Sequence, residues 1–142
     1  MRKRSAGIIP YKVNDGNVEF FLGHPGGMDR PYYAYLKGEV VDGEDDIDAA
    51  VREFGEESGV DVSGLKDRLE YLGEVRQNKN KNVVAFALKV NDINPDLCFS
   101  NMCDDGATPE IDRYGWFTMD QVLELSHRTH IPFYNKIMEK CR

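Results

Sequence analysis

Basic residues are in short supply in this chain: 18 lysines and arginines stand against 25 aspartates and glutamates, a formal net charge of −7. Nonspecific binding to nucleic-acid polymers draws most of its free energy from basic side chains that neutralise phosphates, so no such partner is expected. Cysteine is scarce as well. Cys98, Cys103 and Cys141 are an odd number without zinc-ligand spacing, which argues for free thiols in a reducing compartment. No stretch nears the ~18 uninterrupted apolar residues of a membrane span. The basic start Met1-Arg2-Lys3-Arg4 runs into an apolar segment of only residues 6–9, too short for a signal-peptide core. The expectation is a soluble, cytoplasmic protein with no membrane partner, a monomer or homodimer. Internal repeats are absent. At 142 residues, 41% hydrophobic and 30% charged, the chain has enough to bury one core and no room for a second, so residues 1–142 read as a single domain.

What the chain has in excess is acid, and the acid is concentrated. Between Glu39 and Glu57 nine acidic residues face one basic residue, Arg52. From Asp45 onward Ile47, Ala50, Val51 and Phe54 recur every three to four residues, the spacing of one helix face. Glu53, Glu56 and Glu57 share a second face. Residues three and four apart are helical neighbours, so each carboxylate raises the cost of ionising the others unless a cation joins them. Oxygen ligands alone point to a hard divalent ion, Mg²⁺ with Mn²⁺ as a substitute. Asp45 suits the N-cap, with Asp48 three residues on as an imperfect capping box, and Gly59 suits a left-handed C-cap after which Val60 folds back on the apolar face. Arg52, four residues before Glu56, is placed to hold that carboxylate in one rotamer.

The whole segment obeys a fixed spacing: Gly38, five residues, Glu44, seven residues, then Arg52-Glu53-Phe54-Gly55-Glu56-Glu57-Ser58-Gly59-Val60. Such a match arises by chance with a probability on the order of 10⁻⁷. It resembles the Nudix box without departure, the signature of hydrolases that cleave a nucleoside diphosphate linked to another moiety. The resemblance implies that Glu53 and Glu57 are the principal metal ligands. It makes Glu56 a ligand or an orienting base, the Gly38 carbonyl a further contact, and Arg52 the residue that orients the carboxylates. Glu44 is a supporting ligand or a residue that structures the loop. Arg52, Glu53, Glu56 and Glu57 are thus the expected catalytic group. Glu110 and, more weakly, Glu74 are candidates for a base outside the box.

Around the box the chain alternates strands and helices. Residues 5–13 and 18–24 flank the hairpin signal Asn14-Asp15-Gly16-Asn17, residues 33–37 read as a short strand, and 69–77 and 83–90 form a second hairpin. A strand over 113–118 leads into Thr118 and Gln121, a capping box, and Pro132 opens a last helix. Residues 91–109, rich in Asp, Asn and Pro, read as a long loop. Strands interleaved with amphipathic helices predict a mixed sheet covered on both faces, an α/β/α sandwich, and the resemblance implies the same fold.

The substrate is less plainly written. Tyr33 and Tyr35 are candidates to stack a nucleobase, and Lys37, Arg30, Arg76, Lys79 and Lys81 to meet phosphate. Tyr33, Tyr35, Lys37 and Glu110 are the substrate-binding set, while Trp116 and Phe117 read as core and His127 and His130 as helix-end surface residues. Where many relatives have Trp-x-x-Pro-Lys-Gly before the box, this chain has Tyr33 and Leu36 with Lys37-Gly38 retained. The Lys37-Gly38-Glu39-Val40 and Gly43-Glu44-Asp45 runs look most like the group that acts on dinucleoside polyphosphates, with nucleoside triphosphates and nucleotide sugars also open. The alternative class is a noncatalytic nucleotide-sensing domain of the same family, which degenerate boxes and appended DNA-binding segments would mark.

Overall fold

The computed structural model describes residues 2–142. Six strands form one mixed sheet: β1 (Lys3–Asn14), β2 (Asn17–Pro25), β3 (Leu36–Glu39), β4 (Glu70–Asn78), β5 (Lys81–Lys89) and β6 (Ile111–Thr118). Their order is β4-β5-β1-β2-β6, with β3 on β1. Among the described residues only β1 and β5 run parallel. The two hairpins form as the turn signals predict, the first around Asp15 and Gly16 at φ +50° and +82°, the hand that matches strand twist.

Both faces of the sheet are covered because the central strands are apolar on both sides. In β1, Ala6 and Ile8 point to one side and Ile9 and Tyr11 to the other; in β5, Val84, Phe86 and Leu88 oppose Val83, Ala85 and Ala87. The first side receives Ala49, Ala50 and Phe54 of α1 (Asp46–Ser58), and the second receives Val122 of α2 (Met119–Leu125) and Phe133, Tyr134 and Ile137 of α3 (Ile131–Lys140). This is the expected α/β/α sandwich. Among the described residues no helix is long and apolar enough to cross a membrane.

The long strand β1 shares one edge between two partners. Its first half pairs with β3, Ser5 opposite Glu39 through Ile8 opposite Leu36, and its second half pairs with β2, Tyr11 opposite Phe20 through Asn14 opposite Asn17. Beyond Phe20, β2 leaves β1 and continues beside β6. The sheet parts there into a fork, bridged once where Gly23 and Ala34 exchange backbone hydrogen bonds of 2.9 and 3.0 Å. The fork explains why the short strand starts at Leu36 rather than at residue 33: the segment before it crosses from β2 to β1.

Other details differ from expectation. Asp45 takes the N-cap of α1 with extended backbone, but its side chain bonds nothing in the helix and the capping box with Asp48 does not form. The first-turn acids are drawn outward instead, Asp46 to Arg4 (2.9 Å) and Asp48 to Lys66 (2.7 Å). Gly59 closes α1 in the left-handed region at φ +76°, its N–H donating to Gly55 O at 2.8 Å. The capping box of α2 forms as Thr118 and Gln121 predict. Short 3₁₀ turns at Ser63–Arg68 and Pro95–Leu97 were not expected.

Candidate active site

α1 lies along β3 and turns Glu53, Glu56 and Glu57 into a cleft of about 390 Å³. Lys37, Gly38 and Glu39 of β3 form one wall, Lys3 and Ser5 of β1 and Lys81 of β5 another, and Glu110 enters from the loop before β6. The approach is close enough to require glycine at position 38, where a Cβ would fall on the Glu53 carboxylate.

Arg52 organises the acids. Its Nη1 donates to Glu53 Oε1 (2.8 Å) and to Glu56 Oε2 (2.9 Å), while Nε and Nη2 donate to the two oxygens of Glu44 (2.9 and 3.0 Å) and Nη2 also to Glu39 O (3.0 Å). Glu44 accepts a further bond from the Val41 N–H at 3.2 Å. Of its two expected roles, these contacts are those of a residue that structures the loop: it fixes the approach to α1 and holds Arg52 on the acids.

Glu57 lies deepest, with 7% of its surface exposed. Burial, then the charges of Glu53 and Glu110, push its carboxyl up to about 9, against the pull of Lys37. Glu53 is also raised, by burial above all, although Arg52 opposes the shift. Lys37 is lowered to about 8 by burial and by Lys81, and burial lowers Lys81 too. The cleft therefore holds acids whose charge is disfavoured beside lysines whose charge is disfavoured. A cation would relieve the first and an anion the second.

Among the described residues no three His, Cys, Asp or Glu side chains stand ready-made around a metal position. The reason is visible: Glu53 and Glu56 share Arg52 Nη1, so Arg52 and an ion compete for the same two carboxylates. The donor set, carboxylates and a carbonyl without thiol or imidazole, still suits a hard divalent ion.

A second cleft of about 480 Å³ adjoins the first and shares Lys37, Glu57 and Glu110 with it. It opens in the fork of the sheet, lined by Gly23 and Ala34 with Tyr32, Asp104 and Ile111 around them. Expected substrate residues divide here. Lys37 and Glu110 reach both clefts, but Tyr35 is 1% exposed, its hydroxyl donating to Val84 O at 3.2 Å and its ring edge-on to Phe133. Buried in this way, its face cannot take a base. Tyr33, two residues earlier on the same side of the chain, packs its ring on Phe117 (4.6 Å) and His24 (5.4 Å). Tyr32, the residue before Tyr33, borders the cleft, and Tyr35 lines its floor despite its burial.

The outlying candidates are placed as follows. Glu74 binds Arg4 (2.8 Å) and Asn82 (2.7 Å) on the sheet. Lys79 is exposed at the hairpin turn, whereas Lys81 lines the acid-bearing cleft. Trp116 and Phe117 are half-buried against the two cores. His127 is half-buried, and His130, expected at the surface, is fully buried with Nε2 2.7 Å from Gln77 Oε1. Lys3, Ser5 and Asp104 escaped sequence reasoning because strand pairing and the course of a loop, neither written in a local pattern, bring them to the clefts.

A glycine-bounded loop feeding an acid-bearing helix on an α/β/α sandwich defines a class, and comparison with known proteins gives it a family. The family model for the NUDIX domain matches residues 1–141. The chain belongs to the Nudix family and is a pyrophosphohydrolase of it. It is 26% identical over 138 residues to a bis(5'-nucleosyl)-tetraphosphatase [asymmetrical] of Mus musculus, covering 89% of this chain and 86% of that one. Among solved structures it resembles an Ap4A hydrolase binary complex from C. elegans, with a TM-score of 0.69 and 21% identity over 97% of this chain and 98% of that chain. It also resembles the NUDIX domain of Shewanella oneidensis NrtR complexed with ADP ribose, with a TM-score of 0.70 and 11% identity over 97% and 89%.

Proposed function

We propose that this enzyme hydrolyses the phosphoanhydride chain of a dinucleoside polyphosphate in a Mg²⁺-dependent reaction, with Mn²⁺ as a substitute ion. The observation that carries this reading is the convergence of Glu53, Glu56, Glu57 and Glu110 with Lys37 and Lys81 on one cleft. Oxygen donors for a cation thereby sit beside ammonium groups for phosphate. The adjoining cleft, which shares three of these residues, offers room for a nucleoside. The Lys37-Gly38-Glu39-Val40 run and the activity named in the mouse relative support the dinucleoside polyphosphate over a nucleoside triphosphate or nucleotide sugar.

Glu53, Glu56, Glu57 and the Gly38 carbonyl would hold the ion, which when bound neutralises phosphate charge and acidifies a coordinated water. The remaining work falls to the side chains. Arg52 keeps Glu53 and Glu56 together, and Glu44 keeps Arg52 in place. Lys37 and Lys81 meet phosphate oxygens, whose negative charge favours their protonated form. Glu110, outside the Arg52 network and exposed at the cleft mouth, accepts the proton of the attacking water.

The test is a panel of nucleotides incubated with the enzyme and Mg²⁺, with products identified by mass. Glu57→Gln should cut turnover by roughly 10²-fold or more with the fold retained. Unchanged turnover removes Glu57 from the metal set, and tight binding of a diphosphate compound without cleavage favours a sensor instead. Labelled water identifies the phosphorus attacked.

A further inference from the structure

A third depression of about 550 Å³ opens beside the fork cleft, and Tyr32 lines both. Arg30 lines it from the loop between β2 and β3; Glu124, His127 and Arg128 line it from the end of α2 and the turn that follows. Both arginines are exposed, and among the described residues neither forms an ion pair. Glu124, the one acid in the lining, stands beyond ion-pair distance. Burial and the nearby charges of Lys37, Arg128 and Arg30 lower His127, so one imidazole feels three cations. In a chain of net charge −7 this is a local reversal of sign.

The arginine wall is built rather than loose. His24 is fully buried, with Nδ1 2.7 Å from Asp112 Oδ1 and Nε2 2.9 Å from Arg30 O. Arg113 Nη2 lies 3.2 and 3.0 Å from Nδ1 and Nε2 of the same ring. The backbone of Arg30 is thus clamped, and its guanidinium rests 5.1 Å from the Tyr32 ring centre. Opposite, the Tyr33 N–H donates to Leu125 O (3.0 Å) and Ser126 Oγ donates to Tyr33 O (2.8 Å), which ties the loop to the end of α2. Arg30 and Arg128 therefore face one depression from two braced elements.

We propose that this depression is a subsite for the phosphate chain distal to the hydrolysed bond, with Arg30 and Arg128 binding its anionic oxygens. It rests on the dinucleoside polyphosphate reading and accounts for the part of the substrate that the acid-bearing cleft does not reach. A short chain ends before Tyr32, and a long one passes it, so the two arginines sense chain length.

The experiment uses the full chain with Mg²⁺ and two adenosines joined by three, four, five or six phosphates. Wild type, Arg30→Gln/Arg128→Gln and Arg30→Lys/Arg128→Lys are compared, and thermal melts check their folding. For the glutamine pair KM should rise about tenfold at five and six phosphates and much less at three, and the lysine pair should recover part of the loss. The same KM in wild type and the glutamine pair at every length, or an equal rise at every length, overturns the subsite alone. A wild-type enzyme that cuts none of these compounds overturns the functional reading and the subsite with it.

Discussion

At Arg52 one guanidinium donates to Glu44, Glu53, Glu56 and the Glu39 carbonyl, so the loop before α1 and the acids on it are set by a single side chain. Lysine keeps the charge but cannot serve that many acceptors from a planar fork. Arg52→Lys should therefore lower kcat more than it raises KM, and should cost about 1–3 kcal/mol in urea denaturation. A variant with full activity and an unshifted midpoint would show that the network is idle. Glu57 makes a prediction of opposite character. Its folded pKa of about 9 exceeds the ordinary 4.5, so between those values the folded state keeps a proton that the unfolded chain has lost. Stability of the metal-free protein should fall as pH rises from about 4.5 to about 9, and Mg²⁺ should stabilise it most at the upper end. Melts in chelator and in Mg²⁺ across that range check this, and Glu57→Gln should flatten the chelator curve.

Among the elements, those legible in the sequence carry their own instructions. Helix α1 is written in its apolar spacing and in Gly59, helix α2 in Thr118 and Gln121, and the first hairpin in Asp15-Gly16. The acid face of α1 was legible for the same reason, since Glu53, Glu56 and Glu57 lie within five consecutive residues. What stayed hidden depends on distant partners. Asp45 looks like a capping residue, but Arg4 and Lys66 decide where the first-turn acids go. Tyr35 looks like a stacking residue until β5 and α3 bury it. His130, before α3, is the sharpest case: burial first, then the charge of Lys37, push it down to about 2. The unfolded chain protonates this histidine near its ordinary 6.5 and the folded one does not. Stability should drop as pH falls below 6.5, by about 1.4 kcal/mol per pH unit from this group. Denaturant midpoints at pH 7 and pH 5 measure the loss, and His130→Phe should make it shallower; an equal loss in that variant would mean other groups set the acid limit.

Across the molecule, charge is sorted by place. The surface is acidic overall, yet the lysines of β1, β3 and β5 and the arginines beyond Tyr32 collect around the connected clefts. The sequence records the totals but not the sorting, because Lys3 meets Lys81 only through the parallel pairing of β1 with β5. The fork in the sheet has a consequence for how such an enzyme diversifies. One prong, β3 with α1, carries Glu53, Glu56 and Glu57, and the other, β2 with β6, carries Glu110 and the loop 26–33 with its exposed wall. The acids of α1 and the loop 26–33 thus occupy separate stretches of chain, with Gly23 and Ala34 bridging the prongs. Grafting a different loop at 26–33 should change which compounds are cut while calorimetry shows the same Mg²⁺ affinity. A scaffold divided in this way can be given new tastes without relearning its chemistry.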